Sequence, residues 1–104
     1  MLDVKLWMET TELKVAEERF IKPPSLPYII FTDTTDIGGA DNKNCIANRE
    51  ISIELYSLKV DLVSETLITN LLNEKAIKYK RDRIWIDTQG MFETIYDFNL
   101  VEKF

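Results

Sequence analysis

Residues 50–56 read EISIELY, and this stretch decides the fold because apolar and polar side chains alternate along it. A period of two is that of a β-strand, in which successive side chains point to opposite faces. The apolar face carries Ile51, Ile53 and Leu55. The polar face carries Glu50, Ser52, Glu54 and Tyr56. We predict a strand over 45–58 with one buried face and one face that meets solvent or a partner. A bulge near Asn48 is also predicted, because Ile46 is out of phase with Ile51.

The chain switches to a helical period directly after this strand. Residues 62–74 carry an apolar stripe at helical spacing, and Asp61 precedes them as a candidate N-cap. The stripe consists of Leu67, Ile68, Leu71 and Leu72. The residues predicted to face water are Glu65, Thr69, Asn70 and Glu74. We therefore predict a helix over 62–74.

Two more strands are predicted towards the C-terminus. The first covers 77–87, in which Ile77 and Tyr79 precede a phase shift to Ile84 and Ile86. A turn at 88–90 leads into a long strand over 91–102. The long strand places Phe92, Thr94, Tyr96, Phe98 and Leu100 on one face.

Proline shapes the segment that precedes the EISIELY strand. Pro23, Pro24 and Pro27 impose an extended connection, since each fixes its own φ and disfavours helix at the residue before it. The apolar run YIIF at 28–31 then predicts a buried strand. A polar loop with turn-forming glycines at its tip is predicted over 33–44.

A short helix and one ambiguous segment occupy the first twenty residues. Residues 2–10 fit a helix capped by Asp3. Residues 13–20 fit either a continuation of that helix or a charged edge strand. We favour the strand, because the β-branched pair Thr10 and Thr11 interrupts the helix.

This order of helices and strands defines an α+β fold. Consecutive strands joined by short turns pair antiparallel. We predict an antiparallel-dominated sheet of four to five strands with two helices packed on one face. The whole chain, 1–104, fits a single domain.

Charge and segment composition favour protein partners in a cytoplasmic setting. The formal net charge is −5, and an acidic chain is a poor general binder of nucleic acid. We expect no sequence-specific nucleic-acid binding and no membrane association, since no apolar stretch approaches ~20 residues and no signal-peptide pattern is present. A single cysteine, Cys45, is typical of a reducing compartment.

The chain contains no histidine, which removes the commonest general base and the commonest metal ligand. Cys45 therefore has no imidazole to activate it and is predicted to be a small apolar residue at a strand start. Glu50 and Glu54 have no predicted carboxylate partner from another element, so we interpret them as outward-pointing strand charges. We predict no catalytic residue, no metal site and no cofactor.

The acidic loop is the candidate for a calcium site. It carries Asp33, Asp36 and Asp41, but Thr35 and Ile37 occupy the alternate positions that a calcium loop reserves for oxygen ligands. A solvated loop rich in turn-forming residues is the favoured interpretation.

The basic cluster and the tryptophans are candidate contact residues. The cluster consists of Lys75, Lys78, Lys80, Arg81 and Arg83. With few aromatic residues between them, these cations fit a solvated strand face or a protein contact better than stacking on bases. Trp7 and Trp85 fit either interface anchors or core residues.

Four segments together resemble a known family. They are PPSLPYIIF at 23–31, ADNK at 40–43, IELY at 53–56, and GMF at 90–92 with IYDF at 95–98. In this order and spacing the chain is similar to small structural proteins encoded in the tail and head–tail modules of long-tailed phages and of prophages of Gram-positive bacteria.

The resemblance implies a tail terminator or a head–tail joining (tail completion) protein. Such a protein assembles with copies of itself, commonly as a hexameric ring, and its partners are the tail-tube and head-completion proteins. It is found in the host cytoplasm during assembly and then in the virion tail or at the head–tail interface. The residues we expect at these contacts are Asp36, Asp41, Asn42, Lys43, Lys78, Lys80, Arg81 and Arg83. The alternative is a small cytoplasmic protein-binding or regulatory module unrelated to virions.

Overall fold

Two helices and five strands are present in the computed structural model, which describes residues 1–38 and 46–103. The helices are α1 (Val4–Glu9) and α2 (Leu62–Glu74). The strands are β1 (Lys14–Glu17), β2 (Tyr28–Gly38), β3 (Ile46–Ser57), β4 (Lys80–Ile86) and β5 (Met91–Lys103). They form one five-stranded sheet in the order β1-β2-β3-β5-β4.

The sheet is antiparallel apart from one pair. β2, β3, β5 and β4 pair antiparallel in turn, whereas β1 and β2 run parallel. A parallel pair needs a crossover instead of a tight turn, and the proline-containing segment 18–27 provides it. The predicted α+β class, with an antiparallel-dominated sheet, is confirmed. The strand interpretation of 13–20 is also confirmed, for Lys14–Glu17.

Both helices pack on one face of the sheet, here named the covered face; the other is the open face. The sheet residues buried on the covered face include Ile29, Phe31, Ile51, Ile53, Leu55, Tyr96 and Phe98. α1 adds Val4 and Met8 to this core, and α2 adds Ile68 and Leu72. Each such side chain contributes about 1.5–3 kcal/mol when fully buried. The helices are therefore held by the apolar face that the alternation in residues 50–56 predicts.

Two sequence predictions around the β2–β3 hairpin are wrong. No bulge occurs near Asn48, because β3 keeps an unbroken register with β5 from Ile46 to Ser57. The out-of-phase Ile46 lies on the open face, and the covered-face positions before Ile51 belong to Ala47 and Arg49. The predicted loop over 33–44 is strand as far as Gly38, where the description stops until Ile46. These threonine-rich residues stay extended because β3 supplies their hydrogen-bond partners.

The β4–β5 hairpin agrees with its predicted turn. The turn at 88–90 closes with the amide of Gly90 donating to the carbonyl of Ile86 at 2.8 Å. Gly90 has φ of 63°, a left-handed conformation that glycine adopts without steric cost. β4 itself begins at Lys80, so Ile77 and Tyr79 precede the strand and pack against the edge of the core.

Helix α2 begins and ends where the sequence predicts, and Asp61 caps it. One Asp61 carboxylate oxygen accepts the Ser64 amide at 3.0 Å, and the other accepts the Ser64 hydroxyl at 2.8 Å. We expect Asp61→Ala to lower the free energy of unfolding by about 1 kcal/mol in urea titrations. Asp61→Asn keeps an acceptor oxygen and should cost less than half as much; an equal loss would contradict a hydrogen-bonded cap.

Within the described residues, neither helix combines the length and the apolar composition that crossing a membrane would require.

Candidate functional site

The acidic residues of the predicted calcium loop do not converge. Asp33 lies on the covered face and Asp36 on the open face, because they are separated by an odd number of strand positions. Asp41 lies outside the described residues. Among residues 1–38 and 46–103, no group of three acidic or cysteine side chains is arranged to hold a metal ion.

Asp33 instead belongs to a clasp centred on Arg49, whose side chain is buried. The Arg49 guanidinium donates to the Asp33 carboxylate through Nε and Nη2, and to Glu102 Oε1 through Nη1 at 2.6 Å. Nη1 also donates to the carbonyl of Leu2 at 2.8 Å, and the Leu2 amide donates to the other Glu102 oxygen at 2.9 Å. The clasp therefore ties the start of the chain to β2, β3 and β5.

The clasp keeps both of its carboxylates ionised. Burial opposes ionisation of Asp33, but hydrogen bonds from Arg49 and Thr35 and the Arg49 charge offset it and lower the pKa of Asp33. Burial likewise opposes ionisation of Glu102. The Leu2 amide and Arg49 more than compensate, so the pKa of Glu102 is also lowered. This arrangement is one of charge satisfaction inside the fold, not of a reactive group.

The predicted basic cluster is divided between the two faces of the sheet. Arg81 and Arg83 lie on the covered face and donate to the Glu65 carboxylate, at 2.6 Å from Arg81 Nη1 and 2.7 Å from Arg83 Nη2. The prediction that Glu65 faces water is wrong, since only 4% of it is exposed. A helix face can bury this carboxylate because two guanidinium groups neutralise it.

The lysines of the basic cluster have a different environment. Lys80 lies on the open face opposite Asp97, and Lys78 is exposed in the segment that precedes β4. Lys75, Lys78 and Lys80 line one groove together. Of the five predicted contact residues that the structure describes, Lys78 and Lys80 share this groove, whereas Arg81 and Arg83 meet at Glu65 on the covered face. Asp36 is exposed on β2, whereas Asp41, Asn42 and Lys43, like Cys45, lie outside the described residues.

Carboxylates from two strands meet on the open face. Glu54 on β3 lies diagonal to both Glu93 and Asp97 on β5, because Ile95 is its direct partner. The Tyr56 hydroxyl donates to Glu93 Oε2 at 2.6 Å. The expectation that Glu54 has no carboxylate partner from another element is therefore wrong. Burial, then the charge of Glu93 and a hydrogen bond with it, then the charge of Asp97, raise the pKa of Glu54 to about 7.

Glu54 and Glu93 form a carboxyl pair on the open face of the sheet. A groove of about 280 Å³ lies on the open face, but its lining includes Asp97 and Glu50 and neither Glu54 nor Glu93. A glycosidase-type pair needs its two carboxyl groups apart, with the substrate between them. A hydrogen bond between Glu54 and Glu93 instead contributes to the raised pKa of Glu54. We assign no catalytic role to the pair.

An exposed aliphatic surface lies where β3 ends and α2 begins, and we name it the apolar end surface. Its members are Leu58, Val60, Leu62 and Val63, with exposed fractions of 63%, 45%, 64% and 75%. With Leu26 and Pro27 they line a groove of about 450 Å³. Ser57 also lines it, and the Ser57 hydroxyl is buried without a hydrogen-bond partner among the described residues. Contiguous apolar exposure of this kind marks an interaction surface.

The tryptophans divide between the two predicted roles. Trp7 packs edge-on against Phe98, with 6.2 Å between ring centroids, at the edge of the core. Trp85 is 47% exposed and packs on Phe92 at 4.8 Å. Trp85 is thus the tryptophan that remains available to a partner.

Comparison of the chain with models of known protein families and with curated proteins finds no match. Its function is therefore inferred from its residues and surfaces.

Proposed function

We propose that this chain is a structural protein of a phage or prophage tail, which caps the tail tube or joins it to the head connector. It acts by assembling with further copies of itself and with tail-tube and head-completion proteins. The sites of action are the host cytoplasm during assembly and the virion tail afterwards. In this role the chain contributes contact surfaces and no reactive centre.

The apolar end surface is the observation that supports an assembly role most directly. A chain with net charge −5 exposes four aliphatic side chains within six positions, beside a groove of about 450 Å³. Keeping Leu58, Leu62 and Val63 in water forgoes the stabilisation that their burial would give. A partner that covers them recovers it. The resemblance of four sequence segments to tail-module proteins supports a further copy of the chain, or a tail-tube or head-completion protein, as that partner.

A ring also requires two dissimilar surfaces on each subunit, since head-to-tail contacts are heterologous. The open face is acidic and carries stacked tyrosines, Tyr28 and Tyr56, with ring centroids 5.4 Å apart. The apolar end surface is aliphatic and lies at one end of the sheet. Contacts of different chemistry are therefore available on different sides of one subunit.

Electron microscopy of particles made without this protein tests the proposal. Tails of uncontrolled length are expected if the protein terminates the tube, and finished tails without heads are expected if it joins the tail to the head. Normal infectious particles would contradict both and favour a cytoplasmic binding module.

A single substitution tests the apolar end surface itself. We expect Leu62→Asp to fold normally, because aspartate is favourable in the first turn of a helix. Complementation with this variant should lower the yield of complete particles at least about tenfold, as the loss of an interface anchor does.

The matched control is Leu6→Asp, which places the same charge on α1 at a site of nearly equal exposure, 63% against 64%. Complementation by this control should match the wild type. Equal yields from the two variants would exclude the apolar end surface from assembly.

A further inference from the structure

The outer edge of β5 has no neighbouring strand over its last six residues, among the parts of the chain that the structure describes. β4 pairs with β5 only from Met91 to Asp97, while β5 continues to Lys103. Backbone amides and carbonyls along 98–103 therefore face outwards at alternate positions. Such an edge is a template for an added strand.

A groove lies along this edge, in line with β4. The segment 75–79, between α2 and β4, forms one wall, and β5 forms the other. The groove has a volume of about 640 Å³, which is within the range of protein ligand sites. Space for an additional strand thus exists where β4 stops.

The apolar part of the groove comes from side chains at the margin of the core. Ile77, Tyr79 and Leu100 are only partly buried there and pack on the core from its edge. The Tyr79 ring lies against Tyr96, with 5.7 Å between centroids. An entering strand can place alternate apolar side chains on this margin, as strands do on a sheet face.

The charge of the groove is opposite to that of the chain. Lys75, Lys78 and Lys80 line it against a single carboxylate, Asp97. None of the three lysines forms a salt bridge with any carboxylate in residues 1–38 and 46–103. The arginines nearby are already committed to Glu65. The ammonium group of Lys75 lies over the Trp7 ring, 5.6 Å from its centroid, so Lys78 and Lys80 are the groove lysines whose ammonium groups complement an acidic strand.

We infer that this groove binds an extended acidic peptide segment of a partner protein, which adds to the sheet as a strand beside residues 98–103. Backbone hydrogen bonds to the edge fix the strand, and its carboxylates meet Lys78 and Lys80. A nucleic acid is disfavoured because it cannot use the alternating donors and acceptors of a β-edge, and a second copy is disfavoured by the net charge.

The test uses the full chain and a probe peptide that alternates glutamate with valine and is acetylated at its N-terminus. Titration of the ¹⁵N-labelled protein should shift the amide signals of 98–103 and 78–80. Lys78→Glu should weaken binding about tenfold, because it replaces an attraction by a repulsion. The matched control is Lys22→Glu, which makes the same charge change in the segment between β1 and β2 and should leave affinity unchanged.

Three further measurements can overturn the inference. Equal binding of a peptide that alternates lysine with valine would exclude charge recognition. Equal binding of a glutamate–valine peptide with N-methylated alternate amides would exclude strand addition. Tighter binding of an oligouridylate, or self-association lost on Lys78→Glu, would replace the peptide by nucleic acid or by a second copy. Because no phage particle is involved, failure here leaves the tail-assembly experiment unaffected.

Discussion

Arg49→Met is expected to lower the free energy of unfolding by about 3 kcal/mol, because it leaves two inward-facing carboxylates without their cation. Arg49 is 5% exposed, while Asp33 and Glu102 are 15% and 19% exposed, so water can compensate only a little. The carbonyl of Leu2 also loses its donor. Urea titration followed by circular dichroism measures the loss, since urea does not screen charges as guanidinium does.

Two variants separate charge from geometry in the clasp. Arg49→Lys keeps the positive charge but cannot reach both carboxylates with a planar fork, so it should recover only part of the loss. Arg49→Met combined with Asp33→Asn and Glu102→Gln removes all three charges and should recover more than the lysine variant. A loss below about 1 kcal/mol for Arg49→Met would show that the clasp behaves as a surface ion pair.

The acid dependence of the clasp has a definite sign. The pKa of Asp33 and that of Glu102 are lowered in the folded chain, so the unfolded chain binds protons more readily as pH falls. The contribution is complete above the ordinary values of 3.8 and 4.5 and is lost as pH falls below them. The Arg49→Met variant should therefore show a shallower loss of stability in acid than the wild type.

Local periodicity is sufficient to predict the elements that form the core. The alternation at 50–56 and the stripe at 62–74 each report a buried face within a few residues, and the structure has β3 and α2 there. Periodicity does not predict the part of β2 that follows Phe31. Residues 32–38 are mostly exposed, so no apolar face marks them, and among the described strands β3 alone pairs with them.

The ion pairs of Arg49 and Glu65 were not predicted from the sequence, for a reason that their positions make clear. Arg49 is in phase with Ile51, and Glu65 is in phase with Ile68 and Leu72, so periodicity alone places both on buried faces. The charge of Glu65 led us to predict that it faces water, and Arg49 was given no place. The partners that make burial tolerable come from other strands, and only the sheet order brings them close. A charged residue in phase with an apolar stripe is therefore a sequence signal for a buried ion pair.

The candidate surfaces show the same limit. The run LKVDLV at 58–63 has no strand or helix period, so its apolar residues were not grouped, yet the turn into α2 exposes them side by side. Arg81 and Arg83 were grouped with the lysines because they are neighbours in sequence. Alternation along β4 sends the arginines to Glu65 and Lys80 to the open face. Grouping these cations by their adjacency in sequence therefore gave the wrong set of cations available to a partner.

Glu54→Gln is expected to remove most of a stability loss that the wild type shows between about pH 4.5 and pH 7. The folded pKa of Glu54 is raised from 4.5 to about 7, so the folded chain holds this proton more tightly than the unfolded chain does. The benefit is complete below pH 4.5, declines as pH rises to about 7 and is absent above it. Because Glu54 is partly exposed, solvent screening reduces the effect to about 1–2 kcal/mol.

Glutamine keeps the shape of the side chain and a hydrogen-bond donor for Glu93, without the second negative charge. At pH 8 the Glu54→Gln variant should therefore be more stable than the wild type by about 1–2 kcal/mol. At pH 4.5 the two should be nearly equal, where both carry a neutral side chain. Urea titrations across this range measure the difference, with Glu50→Gln, on the same strand face but opposite Asn99, as the matched control. A control that stabilises as much as Glu54→Gln would attribute the effect to the acidity of the whole open face. A Glu54→Gln difference that does not change with pH would contradict the raised pKa of Glu54.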